Sequence, residues 1–376
     1  MVLRGFSFSI ITLMKDITIG IPAYKGEKII FDCLCSIQTQ TFKNRIKVVI
    51  ASDDKKSNYL NVAKMFPDLE IEILPCKKNL GQSLNRQRII DECDTPWVGF
   101  IDQDDIYYNP FAIEQLYSVI DSETVMVTGN IAEENGYNQR VHIFNDTNNP
   151  FVNGHLYRVD FLKANGIRFP KLRASEDSEF NYKILTLING SKFKCSHVNE
   201  TVYLWRCNFD SISRRNCNDK FSPPYTYDMN ELSKIKSVFN LIDFLKGKGF
   251  PVDAYKDYVA SHMIDVYFKY VQCLHYYPEL SEQVFFCGKW LYYGLYKDVG
   301  DKIDSTLIAA LYNEHMKTNL MKMTDFIPEI TIFEFMNRIR ESEFGGKDEL
   351  IEIRKRIPGN VLENDEELRF EIDFFN

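Results

Sequence analysis

The feature that most constrains this chain is a repeated alternation of short apolar runs with amphipathic segments between residues 16 and 120. Ile17-Thr18-Ile19-Gly20-Ile21, Lys47-Val48-Val49-Ile50-Ala51, residues 69–74 and Trp97-Val98-Gly99-Phe100-Ile101 each read as a buried strand. Between the first two, Ile29, Ile30, Cys33, Leu34 and Ile37 recur at helical spacing. Residues 80–93 read as a second helix, stopped by Asp94-Thr95-Pro96. Residues 110–120 and Val125-Met126-Val127 add another helix and another strand. The pattern predicts an α/β fold with a Rossmann-like, mostly parallel sheet and helices on both faces. In such sheets ligands bind at the carboxyl ends of the strands.

The pattern changes further along. Residues 130–225 are mixed, with loops near 145–150 and at Ser222-Pro223-Pro224. Beyond Tyr227 helical spacing dominates, as in Val259, Met263, Val266, Tyr270 and Leu274, with breakers at Gly249-Phe250-Pro251, Pro278 and Gly300. Two domains are expected, 14–225 carrying the chemistry and 226–376 all-α, the latter selecting an acceptor or making an oligomer contact. Hydrophobic residues are 45% of the 376, enough for a core without disulfide or metal staples. The nine cysteines contain no C-x-x-C pair and read as reduced thiols of a cytoplasmic protein. No run of about 20 apolar residues predicts a membrane span. A net charge of −8 argues against non-specific nucleic-acid binding. Residues 1–13 lack a small-residue cleavage site, and Met14 reads as a natural start. The acidic, aromatic segment 363–376 reads as a tail or docked strand.

The strongest local signal is Asp102-Gln103-Asp104-Asp105, directly after the Trp97 strand. Carboxylates at a strand end can hold a divalent cation, which in turn bridges a diphosphate. Breaking the anomeric bond of a sugar nucleotide leaves negative charge on that diphosphate, so offsetting it stabilises the transition state. A solvated acidic turn is the competing explanation of the same four residues. Ser175-Glu176-Asp177 likewise fits an N-cap followed by acids in a first helical turn.

Taken in order, these motifs resemble the family 2 glycosyltransferases, which adopt the GT-A fold. Ile21-Pro22-Ala23-Tyr24 is similar to the family's first strand and nucleotide loop, and Ala51-Ser52-Asp53-Asp54 to its second strand end, though the family's following Gly is absent. Asn79-Leu80-Gly81 with Arg86 resembles its Asn-x-Gly helix start, and residues 97–105 its metal motif. Gly154-His155-Leu156-Tyr157-Arg158 and Gly166-Ile167-Arg168-Phe169 lead into Glu176-Asp177, similar to its acceptor motif. Tyr203-Leu204-Trp205-Arg206 and Asp210-Ser211-Ile212-Ser213 are similar to its closing segment. The resemblance covers residues 16–215.

It implies donor contacts from Pro22, Tyr24, Asp53, Asn79, Gly81, Arg86, Asp102 and Gln103. Asp53 matches the carboxylate that meets the nucleotide base, with Asp54 as the alternative. Asp104 and Asp102 would hold Mn²⁺ or Mg²⁺, with His155 or His197 as candidate third ligands against the plainer reading of partly buried histidines. Asp177 would be general base of an inverting transfer, with Glu176, Trp205 and Arg206 at the acceptor or lid. Arg86 reads as a diphosphate partner or, nearly as well, as a surface ion pair. The partners implied are a nucleotide-sugar donor, UDP before GDP, and a saccharide or other hydroxyl-bearing acceptor, a hydroxymethylated DNA base included. Two other classes compete: a haloacid dehalogenase-like phosphatase, which needs its Asp-x-Asp on the first strand, and a catalytically dead binding module.

Overall fold

The computed structural model describes residues 15–135, 140–144, 151–208, 230–320, 329–357 and 372–375. Met14, the loop 145–150, Asp210–Ser213, Arg214-Arg215, the boundary near 225 and most of 363–376 lie outside the described residues. The chain divides into two compact units, one of residues up to 171 with Phe180–Cys207, the other of Leu172–Glu179 with the residues from 208 onward.

The first unit is built on one sheet. Strands β1 (Ile17–Ala23), β2 (Ile46–Ser52), β3 (Glu70–Leu74) and β4 (Trp97–Phe100) pair in parallel in the order β3-β2-β1-β4. The registers Ile17↔Ile46 and Ile17↔Trp97 bring their carboxyl ends level. Alternate residues of a strand face opposite ways. Ile17, Ile19 and Ile21 join the core containing Ile30, Cys33, Leu34 and Ile37 of α1 (Ile30–Gln38). Gly20 faces the other way, against Ile89 of α3 (Gln82–Glu92). Burial on both faces explains why β1, β2 and β4 read as apolar runs, whereas β3 is only partly buried and alternates Glu with Ile.

Beyond β4 the sheet is mixed. Its order continues through β8 (His155–Arg158), β6 (Thr124–Asn135), β9 (Lys194–Trp205) and β5 (Ile106–Tyr107), with β7 (Arg140–Phe144) on β6. The β4–β8, β8–β6, β6–β7 and β5–β9 pairs are antiparallel, and β6–β9 is parallel. The expected parallel character therefore holds for the first four strands, where each connection crosses over through a helix or a long loop. It ends where the chain turns back after the carboxylates. The other helices of this half are the single turn α2 (Leu60–Ala63), α4 (Ala112–Ser118), α5 (Val159–Asn165) and α6 (Glu176–Ile188), whose first turn groups with the second unit.

The described part of the second unit is helical, as expected. Its main helices are Asn230–Gly247, Lys256–Tyr276, Ser281–Leu291, Ser305–Leu320, Ile332–Arg340 and Gly346–Arg356. Val259, Met263, Val266 and Tyr270 are all buried in its core. A capping box starts the helix at Ile332, with Thr331 and Glu334 each satisfying the other's backbone N–H. Among the described residues no helix is long and apolar enough to cross a membrane, and all eight cysteines are free thiols.

Candidate functional site

The loops leaving β1, β2, β3 and β4 converge at the carboxyl edge of the sheet, where side chains tie each to another. After β2, Asp53 is 5% exposed, and its two carboxylate oxygens accept the N–H groups of Leu80 (2.7 Å) and Gly81 (2.8 Å). Asn79 Nδ2 donates to the Asp53 carbonyl at 3.2 Å. Gly81 is the N-cap of α3 at φ 81° and ψ 165°, a conformation open to glycine alone. The carboxylate thus sits at a helix N-terminus, where the macrodipole favours an anion. This is a different task from the base contact expected of Asp53. The carboxylate holding the α3 turn in shape is Asp53, while its neighbour Asp54 is half-buried on the loop outside. Replacing Asp53 with Ala would leave two enclosed N–H groups without an acceptor. We expect a loss of about 2 kcal/mol in denaturant unfolding, with Asp53→Asn losing about half of that. An unchanged midpoint would contradict this assignment.

Gln82 and Arg86 lie four apart on α3 and so share a face. Gln82 Nε2 and Arg86 Nη2 both donate to Asp102 Oδ1 at 2.9 Å. Arg86 is 1% exposed, with its guanidinium 6.0 Å from the Phe169 ring. It is a buried partner of the carboxylate turn, not a surface ion pair. Asn153 Nδ2 donates to Asp102 Oδ2 at 3.2 Å, and the Asp102 N–H donates to the Tyr203 hydroxyl at 3.2 Å. Gln82 and Asn153 were not singled out in the sequence, and Tyr203 entered only as the first residue of the closing segment. Asn153 and Tyr203 lie 51 and 101 positions from Asp102, and no local pattern ties them to it.

Asp105 is 2% exposed and accepts from the Tyr203 hydroxyl (2.6 Å) and the Arg206 N–H (2.8 Å). Burial, and then the charges of Asp102 and Asp104, push its carboxyl well above the usual range. Burial also raises Tyr203, beside the same carboxylates. Arg206 closes the end of β9 by pairing with Asp32 of α1 at 2.8 Å, while Trp205 packs edge-on against Phe151 at 5.4 Å. Both expected lid residues are therefore fastened to the body of the first unit. Pro22 lies within β1, opposite Ala51. Tyr24 is 47% exposed.

Neither histidine joins the carboxylates in a ligand cluster. His155 is 1% exposed and bonded to the Tyr157 hydroxyl at 3.1 Å, and burial pushes its pKa down to about 3. His197 Nδ1 meets the Thr128 hydroxyl at 2.8 Å. No group of three or more His, Cys, Asp or Glu side chains suited to an ion occurs among the described residues. A small hard cation needs none, because one or two carboxylates with substrate phosphate oxygens and water complete its shell. Asp102 and Asp104, both half-buried at the end of β4, are a donor set of that kind. The mutual charge that raises Asp105 is what a cation there would offset.

Asp177 and Glu176 lie in the first turn of α6, within the segment 172–179 that groups with the second unit. Ser175 precedes them at φ 64°, a left-handed conformation that side chains rarely adopt, and its carbonyl accepts the Glu179 N–H at 3.2 Å. It therefore starts the helix as expected of a cap, but with the opposite sign of φ. Glu179 is fully buried and accepts from Asn240 at 3.1 Å.

The carboxylate turn follows the fourth strand, which removes the phosphatase reading's first-strand requirement. The chain is 25% identical over 224 residues to glycosyltransferase GlyA of Streptococcus pneumoniae, covering 53% of this chain and 31% of that protein. It is 29% identical over 113 residues to the processive diacylglycerol beta-glycosyltransferase of Mycoplasma pneumoniae, covering 29% of this chain and 33% of that one. It is 27% identical over 181 residues to the poly(ribitol-phosphate) beta-glucosyltransferase of Bacillus spizizenii, covering 44% and 28%. The matches thus span about a third of each relative's length. Among solved structures, TarS 1–349 of S. aureus with UDP aligns at 16% identity and TM-score 0.47, over 81% of this chain and 92% of that one. The mannosyltransferase PcManGT of Pyrobaculum calidifontis, with GDP-Man and Mn²⁺, aligns at 12% and 0.48, over 94% and 89%. The family model "Glycosyl transferase family 2" matches residues 18–172, the stretch holding all four loops, so the chain carries a family 2 glycosyltransferase domain.

Proposed function

We propose that this protein transfers a hexosyl or pentosyl group from a nucleoside-diphosphate sugar, UDP-linked before GDP-linked, to a hydroxyl of a saccharide acceptor with inversion. The observation that carries this reading is the Asp102–Asp105 turn, held at the carboxyl end of β4 by Arg86, Gln82, Asn153 and Tyr203. Asp104 and Asp102 would hold a divalent cation, which when bound offsets the charge developing on the departing diphosphate. The loops after β1 and β2 would receive the nucleotide, and the contact with the base passes from Asp53 to the neighbouring Asp54. Asp177 would take the proton from the acceptor hydroxyl as its oxygen attacks the anomeric carbon. One displacement suffices, so no protein nucleophile is required. The names of two relatives extend the acceptor screen to diacylglycerol and poly(ribitol phosphate).

The test is a thermal-shift panel of UDP, GDP, CDP and dTDP, with and without Mn²⁺, on the wild type and Asp104→Ala. A ligand at 100 times its Kd stabilises the native state by about 2.7 kcal/mol. One nucleotide is expected to raise the melting point in a metal-dependent way, and Asp104→Ala is expected to lose that response. If no nucleotide shifts the wild type under any metal condition, the donor reading fails and a dead module takes its place.

A further inference from the structure

The middle residue of the Asp102-Gln103-Asp104 motif does something that its position between two candidate ligands does not suggest. The Gln103 amide lies along the backbone of Tyr24 and bonds both of that residue's backbone polar groups. The Tyr24 N–H donates to Gln103 Oε1 at 3.1 Å, and Gln103 Nε2 donates to the Tyr24 carbonyl at 3.0 Å. A glutamine that accepts and donates in this way replaces one rung of a strand ladder. It ties the loop after β1 to the turn after β4 across 79 positions of sequence.

Two features of the β1 loop make that rung consequential. Lys25 has φ 49°, a left-handed conformation unfavourable for a side-chain-bearing residue. It is flanked by Tyr24, held on both sides by Gln103, and by Gly26, whose N–H donates to the Tyr59 hydroxyl at 2.9 Å. The bend is thus fixed from both ends by groups outside the loop. The clasp also requires that Gly26 carry no side chain, for a reason unrelated to its own backbone angles. A Cβ placed there would stand 1.8 Å from Gln103 Oε1 and 2.4 Å from Cδ, so any side chain evicts the amide.

We propose that Gln103 is a positioning residue, which together with the absent side chain of Gly26 fastens the Tyr24–Gly26 loop to the carboxylate turn. The nucleotide end and the metal end of the site are then shaped as one piece. The proposal rests on the donor reading above for its consequence in catalysis, but not for the contact itself. Gln103 touches no reacting atom in this account and acts only through the loop it holds.

The first arm of the test is residue-resolved amide exchange on the full chain. In Gln103→Ala the Tyr24 amide should exchange about five- to tenfold faster, with the β1 amides and the melting point unchanged. Gly26→Ala should give the same acceleration. The double variant should exchange no faster than Gln103→Ala, because the added methyl then meets no amide. An unchanged Tyr24 rate in Gln103→Ala, or additive effects in the double variant, overturns the clasp.

The second arm is steady-state kinetics. Gln103→Ala and the double variant should share a donor KM raised about fivefold, with kcat within about twofold of wild type. A freed Tyr24 amide with an unchanged donor KM overturns the positioning role. If the wild type shows no transfer at all, the donor reading has failed, and the exchange arm alone decides the clasp.

Discussion

Asp177→Asn is expected to lower kcat by about 10²- to 10⁴-fold while the metal-dependent nucleotide shift stays that of the wild type. Asparagine keeps the size of the side chain and removes only its capacity to accept the acceptor's proton. The separation of effects follows from the proposed roles. Arg86 and Asp102 belong to the donor side, whereas Asp177 is assigned only to the proton of the acceptor hydroxyl. The first helical turn holds Glu176, Asp177 and Glu179 together. The strained φ of Ser175 immediately before them is the kind of backbone cost that persists where a side chain must be aimed. Rates and nucleotide shifts measured on one preparation check this. A variant with near-wild-type kcat removes Asp177 from the mechanism, and a variant that also loses the nucleotide shift moves it to donor binding.

The largest stability effect is expected in the second unit. Lys269→Met should destabilise the second unit by about 3–5 kcal/mol, roughly a 10 °C fall in its melting point. Lys269 pairs with Glu231, a carboxylate with no exposed side-chain surface, whose Oε1 has no hydrogen-bond partner among the described residues. Lys234 pairs with Asp265 alongside. Burial alone would raise the Asp265 carboxyl, but the Lys234 and then the Lys269 charges outweigh it and hold it well below the usual range. Removing the Lys269 charge strands Glu231 in a medium that solvates it poorly. Removing both partners does not, so Glu231→Leu with Lys269→Met should recover most of the loss. Chemical unfolding of the two variants checks the point. A single variant within about 1 kcal/mol of wild type would mean that Glu231 carries no uncompensated charge.

Strands β1, β2 and β4 were legible because each is buried on both faces and is written as an unbroken apolar run. The α1 stripe and the Val259–Tyr270 stripe were legible because a helix packed on one side repeats its apolar residues every three to four positions. Of the 12-residue strands β6 and β9 only the Val125–Val127 core of β6 was, because their register shifts break the alternation that a sequence pattern depends on. The site was legible as a set of acids and glycines at strand ends, and much less so as a set of tasks. Asp53 and Asp54 are neighbours of identical chemistry, and only the fold turns the first inward onto Leu80 and Gly81. Arg86 could be read as a surface ion pair until its burial against Asp102 removed that reading.

The amino-acid sequence by itself thus determined the α/β succession, the helical second half and the placing of carboxylates after β4. These are properties of neighbours along the chain, set by periodicity and by which residues tolerate burial. Only the tertiary structure decided that Asn153 and Tyr203 complete the Asp102 turn, that His155 is sealed in the core, and that Gln103 bonds the Tyr24 backbone. Hydrogen bonds between residues 50 to 100 positions apart depend on how strand ends come level across a sheet. That levelling arises from the packing of the whole unit and leaves no local trace in the chain.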